Sequence, residues 1–395
     1  MPALPVLPLS SSLRGHEALP LEPVLRRFWE SSGVELLVKS EEEIRNEPLL
    51  VLLHLTGGTE HLALKLVEAI KAPILLLAHR SHNSLPAALE TLARLREDGR
   101  RAWLVTENSG ETLPLFAWAA ALAREIRGKR IGLIGGASPW LVASSLDPSV
   151  LGEKLGVEVV EVPLEDLKKR LPLKPLVLPE GEGIGIGDNE RKMVGRAYTA
   201  LKSLVSEFQL SAVSLACFGL LSEGCTACWA LARLSDEGIP GGCEGDLPAL
   251  LALWLGRILT GLPGFLANPA EADLKRERLL LAHCTVPFLL VESFGLRTHF
   301  ESGIGLAVAG KLRPGPYTLV RFSGKRLERA FIVEGTVLSE APGREDLCRT
   351  QVWFKMPKGA IEKLLREPLG NHHVLVPGHH RPVLSLFHKL FLAEP

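Results

Sequence analysis

LLVLLHLTGGT (residues 49–59) followed by EHLALKLVEAI (60–70) sets the architecture. The first stretch is an unbroken apolar run too short for a helix, closed by a Gly-Gly turn. The second carries apolar residues at helical spacing. A strand buried on both faces and feeding a helix is the unit of a parallel α/β layer. The rhythm continues outward. APILLLAHRS (72–81) reads as a strand and LPAALETLARLRED (85–98) as a helix, then RAWLVTEN (101–108) and LPLFAWAAALAREIR repeat the pair. A second unit starts near Gly128 with KRIGLIGGASP (129–139), again a strand ending in Gly-Gly. VEVVEVPLEDLKKRL (157–171), a helix over 188–207 and the apolar strand LSAVSLACFGLL (210–221) extend it. Beyond about residue 265 the texture changes to short strands separated by Gly and Pro, as in 303–341, without helices between them. The expected fold is α/β: two Rossmann-like parallel α/β layers, then a C-terminal antiparallel β-rich, barrel-like domain. Expected domains are 1–126, 127–266 and 267–395, with a helix over 383–391 closing the last.

The chain has 395 residues, and 45 Lys+Arg balance 45 Asp+Glu to a formal net charge of zero. Hydrophobic residues at 46% and charged residues at 23% describe a folded chain with a large core, not a disordered one. There is no basic excess of the kind that non-specific nucleic-acid binding needs. No apolar run approaches the roughly 18 residues of a membrane span. MPALPVLPLSSSLRGHEALP lacks a basic start and a long apolar stretch, and its prolines at 2, 5 and 8 exclude a helix, so it reads as an extended arm rather than a signal peptide. Six irregularly spaced cysteines form no disulfide framework, which points to a reducing cytoplasm. Three Met amid abundant Leu, Arg and Pro suggest a thermophilic source.

Few local motifs carry chemistry. The turns TGGTE (56–60) and GGASP (135–139) match neither GxGxxG nor a Walker loop, and GEGIGIGDNE (181–190) has no helix opening at the required spacing. They read as strand-to-helix turns, and no nucleotide site is expected. Cys225 and Cys228 form a single CxxC, with Cys217 and Cys243 nearby, in apolar surroundings that suit small buried side chains. The carboxylates and histidines are more pointed. CEGDLPALLALWLGRILTG (243–261) sets Glu244 and Asp246 just before a helix. Asp246 is an N-cap candidate there, while Glu244 has no capping role. His283 interrupts the apolar LLLAHCTVP (279–287), THFESG adds His299 and Glu301, and GNHHVLVPGHHRP brings four more histidines. Nitrogen donors with carboxylates suit Mn²⁺, Zn²⁺, Co²⁺ or Fe²⁺ over Ca²⁺.

These stretches resemble L-arabinose and L-fucose isomerases. CEGDLPALLALWLGRILTG is similar to the arabinose enzymes' GEGD segment with its following helix and TG turn. LLLAHCTVP is similar to their histidine-bearing strand, and GNHHVLVPGHHRPVLSLFHKLF to the late histidine segment and terminal helix. The likeness covers roughly residues 240–290 and 368–391, in the same order, on a chain shorter than either classical enzyme. It implies a metal cluster of Glu244, Asp246, His283 and His372 holding a divalent ion, Mn²⁺ first. It further implies a homo-oligomer, trimeric or hexameric, acting on a small sugar. The arabinose enzymes' second catalytic glutamate falls near Asn268, where no carboxylate stands. The fucose enzymes' catalytic glutamate falls near Ala227 or Cys228, with Glu223 the closest acid.

What the resemblance implies is aldose–ketose isomerisation through a cis-enediol, with Glu244, Glu223 or Asp246 as the acid–base candidates and Glu301 as another source of the base. His299, Glu301 and Asn371 are candidates for substrate contact. The alternative is a sugar-binding or regulatory member of the same fold that has lost catalysis, which the missing carboxylate favours.

Overall fold

The computed structural model describes residues 1–12, 20–181, 183, 186–340 and 342–394. Three of the segments read above fall partly outside these: the N-terminal arm at 13–19, GEGIGIGDNE at 182, 184 and 185, and the stretch 303–341 at its last residue. By contacts the chain forms two compact units, Met1–Glu125 with Pro382–Pro395, and Ile126–Arg381.

The first unit is built on β1 (Leu4–Leu9), β2 (Leu36–Val38), β3 (Leu50–His54), β4 (Ile74–Ala78) and β5 (Ala102–Thr106). All pair in parallel in the order β2-β1-β3-β4-β5. Every residue of β3 and β4 is buried, as strands covered by helices on both faces must be. The N-terminal stretch is not a free arm: its prolines exclude a helix but not a strand, and β1 lies inside the sheet. It pairs with β2 along Leu4–Val6 and with β3 along Leu7–Leu9, leaving Pro5 and Pro8 each with a recorded ladder on one side only.

At the end of β3, His54 is fully buried, and its Nδ1 lies 2.7 Å from Thr59 Oγ1. That hydroxyl donates to Thr56 O, so it must accept from His54 Nδ1–H. Burial pushes the imidazole down to about 4 from 6.5. Between these values the unfolded chain takes up a proton that the folded chain refuses. Stability is therefore full above about pH 6.5 and falls as pH drops toward 4, by up to about 1.4 kcal/mol per unit. Urea unfolding at pH 7 and pH 5 should show wild type losing about 2 kcal/mol more than His54→Gln. Equal losses would mean the ring is not held neutral.

The second unit opens with β6 (Arg130–Ile134), β7 (Glu158–Val162), β8 (Leu210–Leu215) and β9 (Gly241–Cys243), parallel in the order β7-β6-β8-β9. The expected strand over 210–221 stops at Leu215. Its last partner is Ile134, after which the neighbouring chain turns away at Gly135, and residues Cys217–Glu223 coil into a 3-10 helix.

The β-rich part follows as β10 (Phe265–Asp273), β11 (Arg278–His283), β12 (Val291–Arg297), β13 (Ala307–Leu312), β14 (Gly315–Ser323), β15 (Arg329–Val337), β16 (Thr350–Lys355) and β17 (His373–Pro377). Six of these close an antiparallel barrel, β10-β11-β16-β15-β14-β17, and β12 and β13 form a separate hairpin. The α/β fold with an antiparallel barrel-like part is thus as the sequence suggests. Helix Leu247–Thr260 ties the two parts of this unit together. Asp246 caps it, Pro248 sits in its first turn and Gly261 ends it in a left-handed turn. At Gly256 a Cβ would stand 2.7 Å from Val376 of β17, so the absent side chain lets helix and barrel wall meet. That contact brings the helix's N-terminus to the start of β17.

Candidate functional site

Ligands of open parallel sheets bind outside the carboxyl ends of the strands, where the strand order reverses. In the second unit that place is the end of β6, β8 and β9, and the loop leaving β9 is Glu244-Gly245-Asp246. Glu244 has φ 65°, a left-handed conformation that costs a non-glycine residue about 1–3 kcal/mol. Gly245 follows at φ 72°, and a Cβ on it would lie 2.1 Å from Gly136 O. The two Gly-rich loops are therefore pressed together, and Ser138 N donates to Glu244 O at 2.8 Å. The Glu244 carboxylate is held from the same loop, accepting from Trp140 Nε1–H at 2.6 Å through Oε2.

Asp246 is wholly buried and both its oxygens are engaged. Oδ1 accepts from Ala249 N at 2.9 Å, the helix cap. Oδ2 accepts from Arg321 Nη1 at 2.7 Å and lies 3.0 Å from His372 Nδ1. Burial pushes this carboxyl up, but Arg321, His372 and the Ala249 amide outweigh it and hold the pKa below the ordinary value. An ionised Asp246 can only accept, so His372 donates to it through Nδ1–H and turns Nε2 toward Glu244. That Nε2 is buried without a hydrogen-bond partner and lies 3.8 Å from Glu244 Oε2. The His283 ring stands edge-on to His372, centroids 5.7 Å apart, with Nδ1 also buried and unpartnered. Burial, then His372 and His299, push its pKa well below 6.5, so it is neutral at pH 7. Glu244, Asp246, His283 and His372 are thus brought into one cluster. Among the described residues, no three His, Cys, Asp or Glu side chains gather closely enough to enclose a metal ion.

The hairpin loop between β12 and β13 supplies a second carboxylate. Glu301 is exposed on this loop, yet partial desolvation, then Glu244, raise its pKa. His299, in the same loop, is buried with Nδ1 on Ser302 Oγ at 3.0 Å. Burial and Arg349 lower its pKa. An aromatic row joins this loop to the other side: His299 packs edge-on against Phe218 at 5.6 Å, and Phe218 against Trp140 at 5.0 Å.

No protein-family model matches the chain. A protein from Alkalicoccus urumqiensis named sulfoquinovose isomerase is 25% identical over 272 residues, 64% of this chain and 61% of that protein. Another of the same name from Clostridium sp. (strain MSTE9) is 32% identical over 91 residues, 22% of this chain and 20% of its own length. A third, from Priestia aryabhattai, is 23% identical over 214 residues, covering 49% of this chain and 47% of that protein. The likeness is to sugar isomerases. The chain spans about three fifths of the length of the first of them.

Of the remaining sequence candidates, Asn371 adjoins His372 and Glu223 stands apart. Glu223 is exposed at the end of the 3-10 helix, 3.6 Å from Lys168 and bonded to Ser222. Asn371 precedes β17 and braces its neighbours, its Oδ1 accepting from His372 N and its carbonyl facing His373 Nδ1. Asn268 lies in β10 with Oδ1 buried and unpartnered. His379 and His380 face the carbonyls of Gly335 and Pro377. All six cysteines are free thiols, and among the described residues no helix is long and apolar enough to cross a membrane. Arg321 and Trp140 escaped sequence reading. A lone Arg in the alternation of GPYTLVRFS, and a Trp just past a Gly-Gly turn, were the available signals.

Proposed function

We propose that the protein is a divalent-metal-dependent aldose–ketose isomerase acting on a small sugar, Mn²⁺ being the first candidate ion. The observation that carries this reading is His372 Nε2, oriented by Asp246 at Nδ1 and buried without a hydrogen-bond partner beside the Glu244 carboxylate. Glu244, His283 and His372 are donors of the right kind for such an ion, each histidine having one nitrogen without a hydrogen-bond partner, and to enclose it the three would have to draw closer than they stand. Asp246 stands behind His372 and orients it. An ion held by these residues would supply Lewis-acid polarisation of a sugar carbonyl. Glu301, with its raised pKa, takes the proton from C2 and returns it to C1, the enediol forming between the two transfers. The proton of the C2 hydroxyl passes to the C1 oxygen, so the atoms balance. His299 and Asn371 border the sugar, and we place the enzyme in the cytoplasm as a homo-oligomer.

The test is a panel of aldoses, sulfoquinovose among them, incubated with protein stripped of metal and then reloaded with Mn²⁺. Conversion to the ketose on reloading is expected. Retention of sugar binding without conversion, even with Mn²⁺ bound, would favour the sugar-binding alternative, for which the uncharged Asn268 is the specific observation.

A further inference from the structure

Trp140 is the group next to Glu244 that the mechanism above does not use. Its indole N–H reaches the Glu244 carboxylate at 2.6 Å, yet the residue is 48% exposed. A large aromatic residue on a soluble surface is unremarkable by itself. This one is tied at one edge to a site carboxylate and braced edge-on by Phe218 at 5.0 Å, which in turn meets His299 at 5.6 Å. The loop that carries it is clamped to the Glu244–Gly245 turn by the Ser138–Glu244 backbone bond. The ring is thus rigid, wet on one side and positioned by the same bond that orients the carboxylate.

We propose that Trp140 is a two-part element of the sugar site: its N–H positions Glu244, and its exposed indole surface is the platform on which the C–H face of the substrate carbon chain rests. An indole can do both because its donor lies in the ring plane while its faces are apolar. A sugar complements it, since its hydroxyls need polar partners and its C–H edges need an apolar one. The proposal rests on the sugar-isomerase reading and adds a substrate-contacting residue to it.

Two variants separate the parts. Trp140→Phe keeps an aromatic platform and loses the donor, so KM for the sugar should stay within about twofold while kcat falls about tenfold or more. Trp140→Ala loses both, and KM should rise about tenfold in addition. Independently of turnover, the tryptophan fluorescence of wild type titrated with sorbitol, an open-chain sugar alcohol, should change saturably, and the change should vanish in Trp140→Phe. The proposal fails if Trp140→Ala leaves KM and the sorbitol response as in wild type. It fails equally if that variant changes only the molecular mass in size-exclusion chromatography, which would make the residue an interface contact. If wild type converts no aldose but still gives the sorbitol response through Trp140, the isomerase reading is lost and the platform stands.

Discussion

Arg321→Met should lower the unfolding free energy by about 3–5 kcal/mol, the usual cost of stripping one partner from a buried ion pair. Arg321 and Asp246 are both fully buried, 2.7 Å apart at Nη1 and Oδ2. Removing the guanidinium leaves a carboxylate with no route to water. Its remaining support is the Ala249 amide and His372. The carboxyl's pKa then rises, because the cation was the largest influence holding it down. Once protonated, Asp246 no longer dictates which nitrogen of His372 carries the proton, and loss of such an orienting partner costs about 10–100-fold in metal affinity or activity. Urea unfolding and Mn²⁺ titration at pH 7 would measure the two effects. The double variant Arg321→Met with Asp246→Asn should recover part of the stability, since Asn still caps the helix and no charge is stranded. If the single variant unfolds like wild type, the pair is not buried as described.

This ion pair also shows what a single sequence holds and what it withholds. The apolar runs at 49–59 and 72–81 announce parallel strands because burial on both faces leaves no polar position to alternate with. The capping role of Asp246 is legible because a cap is local: its bond partner, Ala249, is three residues on. Arg321 is 75 residues from Asp246, and nothing near it in the chain reveals a carboxylate. Its pairing depends on barrel closure and on helix Leu247–Thr260 docking against β17, both long-range events. Glu223 illustrates the converse. Nearness in sequence to an expected position made it a candidate, but the strand before it runs out of partners at Leu215, and the 3-10 helix carries the carboxylate to the surface. His299 and Glu301 were recognisable only as residue types, because the hairpin that swings their loop toward Glu244 has no sequence signature of its destination.

Glu301→Gln should reduce kcat about 10²–10⁴-fold, the range for loss of a positioned acid–base group, with Mn²⁺ binding retained. Glu244→Gln should lose both, because it removes a donor to the ion. The contrast matters more than either number: it separates the carboxylate that moves the proton from the one that holds the cation. The pH profile adds a second handle. A base must be ionised to act, and with no ion bound the pKa of Glu301 is raised by partial desolvation and by Glu244. Activity should therefore fall as pH drops through the Glu301 limb, which the positive charge of an ion held at Glu244 would pull down from its metal-free position. A Glu301→Gln enzyme that keeps wild-type kcat, or that keeps the acid limb, would remove Glu301 from the proton path. The place where the resemblance puts a second glutamate is held by Asn268, which has no proton to exchange. The reaction would then need a base from outside the residues named here, or this chain would bind its sugar without converting it.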